Sequence, residues 1–438
     1  MKLRLLYIFS ACVIISAALS AQTPTPASMQ SQAEPTGTPP GVAPLRSNNS
    51  KGFPAPLMER GKPIETREPE KADDKPAFAG QTRAPFGATV PIEITTLTDK
   101  LKSPWSLAFL PTGNFLITEK PGTMRVLSKE GVLSEPLTGV PVVSAVGQVG
   151  LLDLALDSSF NSNHRVFFTF SEPVGESNSN IAVASAHLDE AGRALKDLKV
   201  IFRAKPALPR SLQANQGGRI AIGRDGNLFV TIGDRSKSPP WDVAQQLDNH
   251  LGKIIHITPT GEPAPGNPFI GKPNALAEIW SYGHRSQEGL AIHPATGELW
   301  ETEHGPRGGD ELNIPEAGKN YGWPVIVHGI DYPGQTIGEG ITENAGMEQP
   351  RYYWDPVIAP SGMAFYTGDL FPQWKNSVFV GALRGQMLDR LTLSGTSVTA
   401  EEPLLVEQHS RVRDVRVGSE GAVYVLTDNG RLMKITLR

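Results

Sequence analysis

A short apolar strand, a turn holding glycine or proline, and an alternating second strand recur along most of the chain. This repeat constrains the fold more than any other feature. Ser106-Leu107-Ala108-Phe109 leads through a Pro-x-Gly turn to Asn114-Phe115-Leu116-Ile117-Thr118-Glu119. Arg219-Ile220-Ala221-Ile222 leads through Arg224-Asp225-Gly226 to Asn227-Leu228-Phe229-Val230-Thr231. Gly289–Ile292 passes Pro294 and Gly297 to reach Glu298–Thr302, and Asp414–Val417 passes Ser419-Glu420-Gly421 to reach Ala422–Leu426. Looser copies run over Leu151–Ser171 and Met363–Ala382. Each copy is a hairpin signal. Six such units over about 350 residues, without an amphipathic helix between them, predict an all-β fold: a six-bladed β-propeller over residues 88–438, one four-stranded sheet per blade. A pair of β-sandwiches is the alternative architecture, but it does not account for the same strand–turn–strand text recurring around the chain. In a propeller, loops from every blade converge at one end of the axis, and function is expected there.

The 438 residues, 39% of them hydrophobic, suffice for a sizeable core, and 44 glycines with 38 prolines favour turns over helices. A net charge of -4 gives no electrostatic case for nucleic acid or an anionic membrane. Residues 1–21 read as a secretory signal: Lys2 and Arg4 are basic, Leu5 to Leu19 is apolar, and Ala18-Leu19-Ser20-Ala21 offers small residues for cleavage. The apolar run falls short of the roughly 20 residues that span a bilayer, so the expected product is a periplasmic protein with no membrane span. The single cysteine, Cys12, lies inside this signal, so the mature chain is expected to have no disulfide. Residues 22–87, rich in Pro, Ser, Thr, Gln, Lys and Glu, read as a disordered tether.

Between Glu301 and Tyr332 the chain gathers six acidic residues (Glu301, Glu303, Asp310, Glu311, Glu316, Asp331) among glycines and prolines. Gly305-Pro306 and Gly308-Gly309 exclude a helix or strand through them and predict a long loop. Carboxylates and carbonyls on a sharply turning chain suit a hard cation such as calcium, while a solvated surface loop is the bland reading. Tyr321 and Trp323, side chains of a buried type, weigh against simple solvation. Gln148, Arg285, Arg384, Arg411 and Arg413 fall at the starts or ends of repeats, so several cations would face one cavity and suit a polyanionic small molecule.

The strings GQVGLLDLAL, GGRIAIGRDGNLFVTIGDR, YGHRSQEGLA, EHGPRGGDELNIPEAGKNYGWP, SGMAFYTGDLFPQWKNSVFVGAL and RVRDVRVGSEGAVYVLTD resemble the soluble pyrroloquinoline-quinone-dependent aldose sugar dehydrogenases, related to glucose/sorbosone dehydrogenases. The resemblance runs from about residue 92 to the C-terminus. It implies a six-bladed propeller that oxidises the C1 hemiacetal of an aldose with pyrroloquinoline quinone (PQQ) and Ca2+, passing electrons to an external acceptor. By position it implies that Gln148, Arg285, Ser286, Tyr332, Ala382-Leu383-Arg384 and Arg411-Val412-Arg413 contact the quinone. Glu311, by its side chain, and Tyr321, by its carbonyl, fall where the family binds calcium. Ser286 stands where the family has asparagine, and Arg384 where it has lysine.

The largest departure is at the general base. The family has a histidine just before its Gly-Gly-Arg or Ser-Gly-Arg, and this chain reads Ala214-Asn215-Gln216-Gly217-Gly218-Arg219. An amide cannot take the hydroxyl proton as imidazole does. Asp234 is a substitute base, acting through water, although a carboxylate with a pKa of about 3.9 is weak in that role. Two functions therefore stand: a working aldose dehydrogenase, or an impaired or substrate-altered homologue that binds calcium, with or without the quinone.

Overall fold

Each repeat forms the first two strands of an antiparallel sheet, because its alternating branched and aromatic residues bury best on a pleated surface. The computed structural model of the protein describes residues 56–212, 214–235 and 241–438; the signal region and Cys12 lie outside them. After β1 (Ile92–Thr98), β2 (Pro104–Phe109), β3 (Phe115–Glu119) and β4 (Thr123–Leu127) form one sheet. The next comprises β5 (Leu151–Leu156), β6 (Arg165–Val174), β7 (Asn178–Asp189) and β8 (Ala194–Arg203), with the short β9 (Leu208–Pro209) paired to β7. The third holds β10 (Gly217–Ile222), β11 (Leu228–Ile232), β12 (Lys253–Ile257) and β13 (Ile279–Tyr282). The fourth holds β14 (Gln287–Ile292), β15 (Leu299–Glu303), β16 (Asp310–Asn313) and β17 (Tyr352–Trp354). The fifth holds β18 (Pro360–Phe365), β19 (Ser377–Ala382), β20 (Met387–Ser394) and β21 (Ser397–Leu404). β22 (Val412–Val417), β23 (Val423–Thr427) and β24 (Leu432–Leu437) make the last, completed by β1 along β24.

The first strands β2, β5, β10, β14, β18 and β22 touch one another in a closed ring. That ring makes the protein a six-bladed β-propeller and rules out paired sandwiches. Apolar faces of neighbouring blades pack together, as where Leu152 and Phe167 of one meet Ile220 and Val230 of the next. Every first-to-second strand pair shifts register near the start of its first strand. In four blades the bulged stretch carries a buried charged residue: Asp153, Arg219, Glu288 and Asp414. Arg219 bonds Asp414 at 2.8 Å and Arg416 bonds Asp153 at 3.0 Å, so Asp153, Arg219 and Asp414 are paired.

Three expectations need correction. Among the described residues the first sheet has three strands, so the blades are not uniformly four-stranded. Asp310–Asn313, read as loop, is β16, because the chain has completed its glycine turns by Gly309 and pairs with both neighbours. The tether expected over 22–87 is ordered from Pro56 onward. Tyr353 N donates to Gln81 O at 2.8 Å and Gly87 N to Glu401 O at 3.0 Å, so this strap covers the outer edges of β17 and β21. Ile64, Ala84 and Phe86 supply its apolar anchors, and Gln81 is wholly buried. A few well-placed apolar residues and backbone pairing suffice where composition alone indicates disorder. A partly open pocket lies under the strap, bordered by Ile64, Arg83, Tyr352 and Glu401.

Candidate cofactor and metal site

Strand direction determines which residues can meet. Each first strand starts opposite the end of its second strand: Pro104 faces Glu119, Gly217 faces Ile232, Gln287 faces Glu303, and Val412 faces Thr427. Residues just before a first strand (Gln148, Asn215, Arg285, Arg411) therefore share one end of the molecule with residues just after a second strand (Lys120, Asp234, His304, Arg384, Asp428).

One side of this end is cationic. Arg411 and Arg413 both bind Asp428, each through Nε at 2.8 Å. Lys120 donates to Gly147 O at 3.0 Å, next to Gln148. Burial, then the charges of Arg413 and Arg411, lower the Lys120 ammonium, with Asp428 opposing. Three cations thus gather on one carboxylate, an arrangement that favours further anionic charge. Arg285 donates to His304 O at 3.0 Å and Gly305 O at 2.8 Å, and lies over the Trp323 ring at 5.2 Å. Its buried Nε has no hydrogen-bond partner among the described residues. His304 joins the two groups: burial, reinforced by Arg285, Arg413 and Arg411, pushes its imidazole down to about 3. Its Nε2 donates to Pro360 O at 2.7 Å.

Asn215 sits between these groups, buried, in a left-handed conformation (φ 49°) that asparagine tolerates. Its backbone N donates to Gln148 Oε1 at 3.0 Å and its Nδ2 to Asp234 Oδ1 at 2.8 Å. Trp323 Nε1 donates to Asp234 Oδ2 at 2.8 Å. Both oxygens of Asp234 thus receive donors, so it acts first as an anchor for Asn215 and Trp323.

A small, partly open cavity is lined by Arg285, His304, Trp323, Glu303, Glu311 and Tyr321, among others. The chain reaches it twice: through β16, and where residues 319–321 run along the edge of β13, with Tyr321 N donating to Tyr282 O at 2.8 Å. Glu311 and Tyr321 therefore meet at one cavity. Behind them lie the fully buried Glu301 and His284. Burial and Glu303 push Glu301 up to about 7, and burial followed by Glu303 holds Glu311 well above the carboxylate range. Burial would lower His284, but the hydrogen bonds its ring donates to Glu301 and Glu303 hold it up at about 9. One imidazolium does not neutralise three carboxylates, and the buried Glu301 Oε2 and Asn313 Oδ1 have no hydrogen-bond partner among the described residues. Orphaned oxygens among three clustered carboxyl groups, which a bound cation would let ionise together, fit a hard divalent cation.

The remaining residues read from the sequence are placed less tightly. Ser286 is buried with Oγ on Glu288 Oε1 at 3.3 Å. Ala382, Leu383 and Val412 are buried, leaving backbone groups for contact; Leu383 O accepts from Arg411 at 3.3 Å. Arg384 is exposed, and Tyr332 is 54% exposed on the long excursion between β16 and β17. Lys120, His304 and Trp323 were missed as site members. Lys120 and His304 each directly follow a second strand, one position short of the place that Asp234 takes, a neighbourhood that a repeat alignment would have flagged.

A family model described as Glucose / Sorbosone dehydrogenase matches residues 101–434. The aldose sugar dehydrogenase YliI of Escherichia coli (strain K12) is 43% identical over 355 residues, covering 80% of this chain and 94% of that protein. The apo-form crystal structure of the soluble aldose sugar dehydrogenase from Escherichia coli has a TM-score of 0.75 and 40% identity, covering 79% of this chain and 100% of that one. The PQQ-bound aldose sugar dehydrogenase from Streptomyces coelicolor has a TM-score of 0.64 and 30% identity, covering 80% of this chain and 99% of that one.

Proposed function

Because the chain belongs to the glucose/sorbosone dehydrogenase family, a family of sugar-oxidising enzymes, we propose that it is a periplasmic quinoprotein that oxidises the C1 hemiacetal of an aldose. The observation that carries this reading is the joining of a cationic rim to a buried carboxylate cavity at one end of the propeller. Lys120, Arg411 and Arg413 suit the three carboxylates of PQQ, with Arg285 reaching across from the other side. Glu311 and the Tyr321 carbonyl, backed by Glu301 and Glu303, suit calcium. PQQ, when bound, supplies the two-electron oxidant that accepts hydride from the sugar. The chain's own residues would orient the cofactor and screen it from water, with Asp234, acting through a water, the candidate to receive the hydroxyl proton. Among the described residues no helix is long and apolar enough to cross a membrane.

The second reading, an impaired or substrate-altered homologue, is favoured by Asn215. Asp234 fixes its amide at 2.8 Å, where it can hydrogen-bond a hydroxyl but cannot take its proton. The deciding experiment reconstitutes purified protein with calcium and PQQ and follows dye reduction over a panel of aldoses. Calcium- and quinone-dependent turnover supports the enzyme. Tight binding of both without turnover supports the binding propeller, and binding of neither removes both readings.

A further inference from the structure

The strap from Pro56 to Gly87 precedes the family match at residue 101, and about a fifth of this chain has no counterpart in the Escherichia coli structure, which the rest covers completely. Its apolar anchors cover two blade edges, while Glu70, Lys71 and Asp74 reach one place. Glu70 Oε2 accepts from Arg307 Nε at 2.6 Å. The backbone N–H groups of Glu70 and Lys71 donate to the two oxygens of Asp355 at 2.9 and 3.1 Å. Asp74 meets His328 Nδ1 at 3.2 Å through both oxygens, and both side chains are almost fully buried. The His328 ring also stacks on Tyr353 at 4.2 Å.

Arg307 and His328 belong to the loop that walls the candidate metal cavity. Arg307 and Ile330 exchange backbone hydrogen bonds at 2.9 Å, tying the two limbs of that loop together. Gly308 lies against Asp355 and Gly309 against His328: a β-carbon would come within 2.6 Å of Asp355 Oδ1 in the first case and 2.7 Å of the His328 carbonyl carbon in the second. Both glycines have φ above +70°, so neither position can relax by accepting a side chain. Gly309 lines the cavity and is two residues from Glu311. Three ties from the strap therefore close on the backbone that sets Glu311 in place.

We propose that Glu70 and Asp74 are positioning residues for the divalent-cation site, and that the strap holds the Arg307–His328 loop in its cation-binding geometry. The inference rests on the calcium reading above. Outer partners that orient ligands typically change metal affinity by about 10–100-fold when lost.

Removing the strap outright uncovers Ile64 and Phe86, so the informative variant is the isosteric pair Glu70→Gln with Asp74→Asn, which keeps the apolar cover. Calcium alone is titrated into wild type and variant against a competing indicator, and melting temperature is measured with and without calcium. Calcium Kd should rise at least tenfold in the variant, and the calcium-dependent gain in melting temperature should shrink. An unchanged Kd, with melting lowered equally in both conditions, would make the strap a structural cover and overturn the proposal while the metal reading stands. A wild type that binds no calcium would overturn both.

Discussion

Replacing Asn215 by histidine tests the chemistry most directly. The backbone at 215 already has a left-handed φ of 49°, a region where histidine, like asparagine, is enriched, so the exchange imposes little strain. Asp234 waits at 2.8 Å from the present amide nitrogen, and Trp323 pins its other oxygen at 2.8 Å. An imidazole there would donate one ring N–H to this fixed carboxylate and turn its second nitrogen to the cavity as a base. General-base assistance contributes about 10²–10⁴-fold, or about 3–5 kcal/mol of activation free energy. Steady-state dye reduction with PQQ and calcium should show kcat/KM rising by about that factor in Asn215→His. The rise should follow a pKa near or above 6.5, since the neighbouring carboxylate favours the imidazolium. Wild type should show no such limb. A wild type that turns over aldoses rapidly, gains nothing from histidine and loses activity in Asp234→Asn would refute the reasoning and make Asp234 the base.

Arg413→Ala should weaken PQQ binding about 10–100-fold by absorbance titration, with a much smaller change in cofactor-free melting temperature, since it loses a charge-assisted contact. Glu311→Gln should abolish the calcium-dependent rise in melting temperature. It should also stabilise the calcium-free protein at pH 8, because it removes a carboxylate that Glu303 and Glu301 repel. Away from the site, Trp354 Nε1 donates to both Asp389 and Glu401, at 3.3 and 2.9 Å. Burial pushes Asp389 up to about 7 and Glu401 well above the carboxylate range. Folded pKa values above the unfolded ones near 4 mean that this pair's contribution is complete below about pH 4 and is lost as pH rises through 7. Thermal melts should show Asp389→Asn flattening that decline, by an amount on the order of 2–4 kcal/mol between pH 4 and 8; a parallel decline in both proteins would contradict its assignment to Asp389.

The blade repeat was legible because a hairpin is a local object, with its strands and turn within some twenty residues. Glu311 and Tyr321 were legible through an odd glycine-rich string, and Arg285, Arg411 and Arg413 through their places at strand starts. What escaped depends on distance in space. Lys120 is an ordinary lysine after a strand until Arg411 and Arg413, nearly three hundred residues on, arrive beside it. Nothing near Asp74 in the sequence announces His328, yet the two are buried together. The strap looked disordered because its order is borrowed from the edges it covers.

The last blade is assembled from both ends of the domain, since β1 completes the sheet of β22–β24. Arg411 and Arg413 stand at the head of that blade, facing a rim that begins at Lys120. During synthesis nearly the whole chain must leave the ribosome before these side chains can meet. No partial product can therefore present the anion pocket, and loading should be an all-or-none event that follows ring closure. A bound polyanion would then act as a latch across the seam, and its departure would leave the seam as the first place for the ring to open.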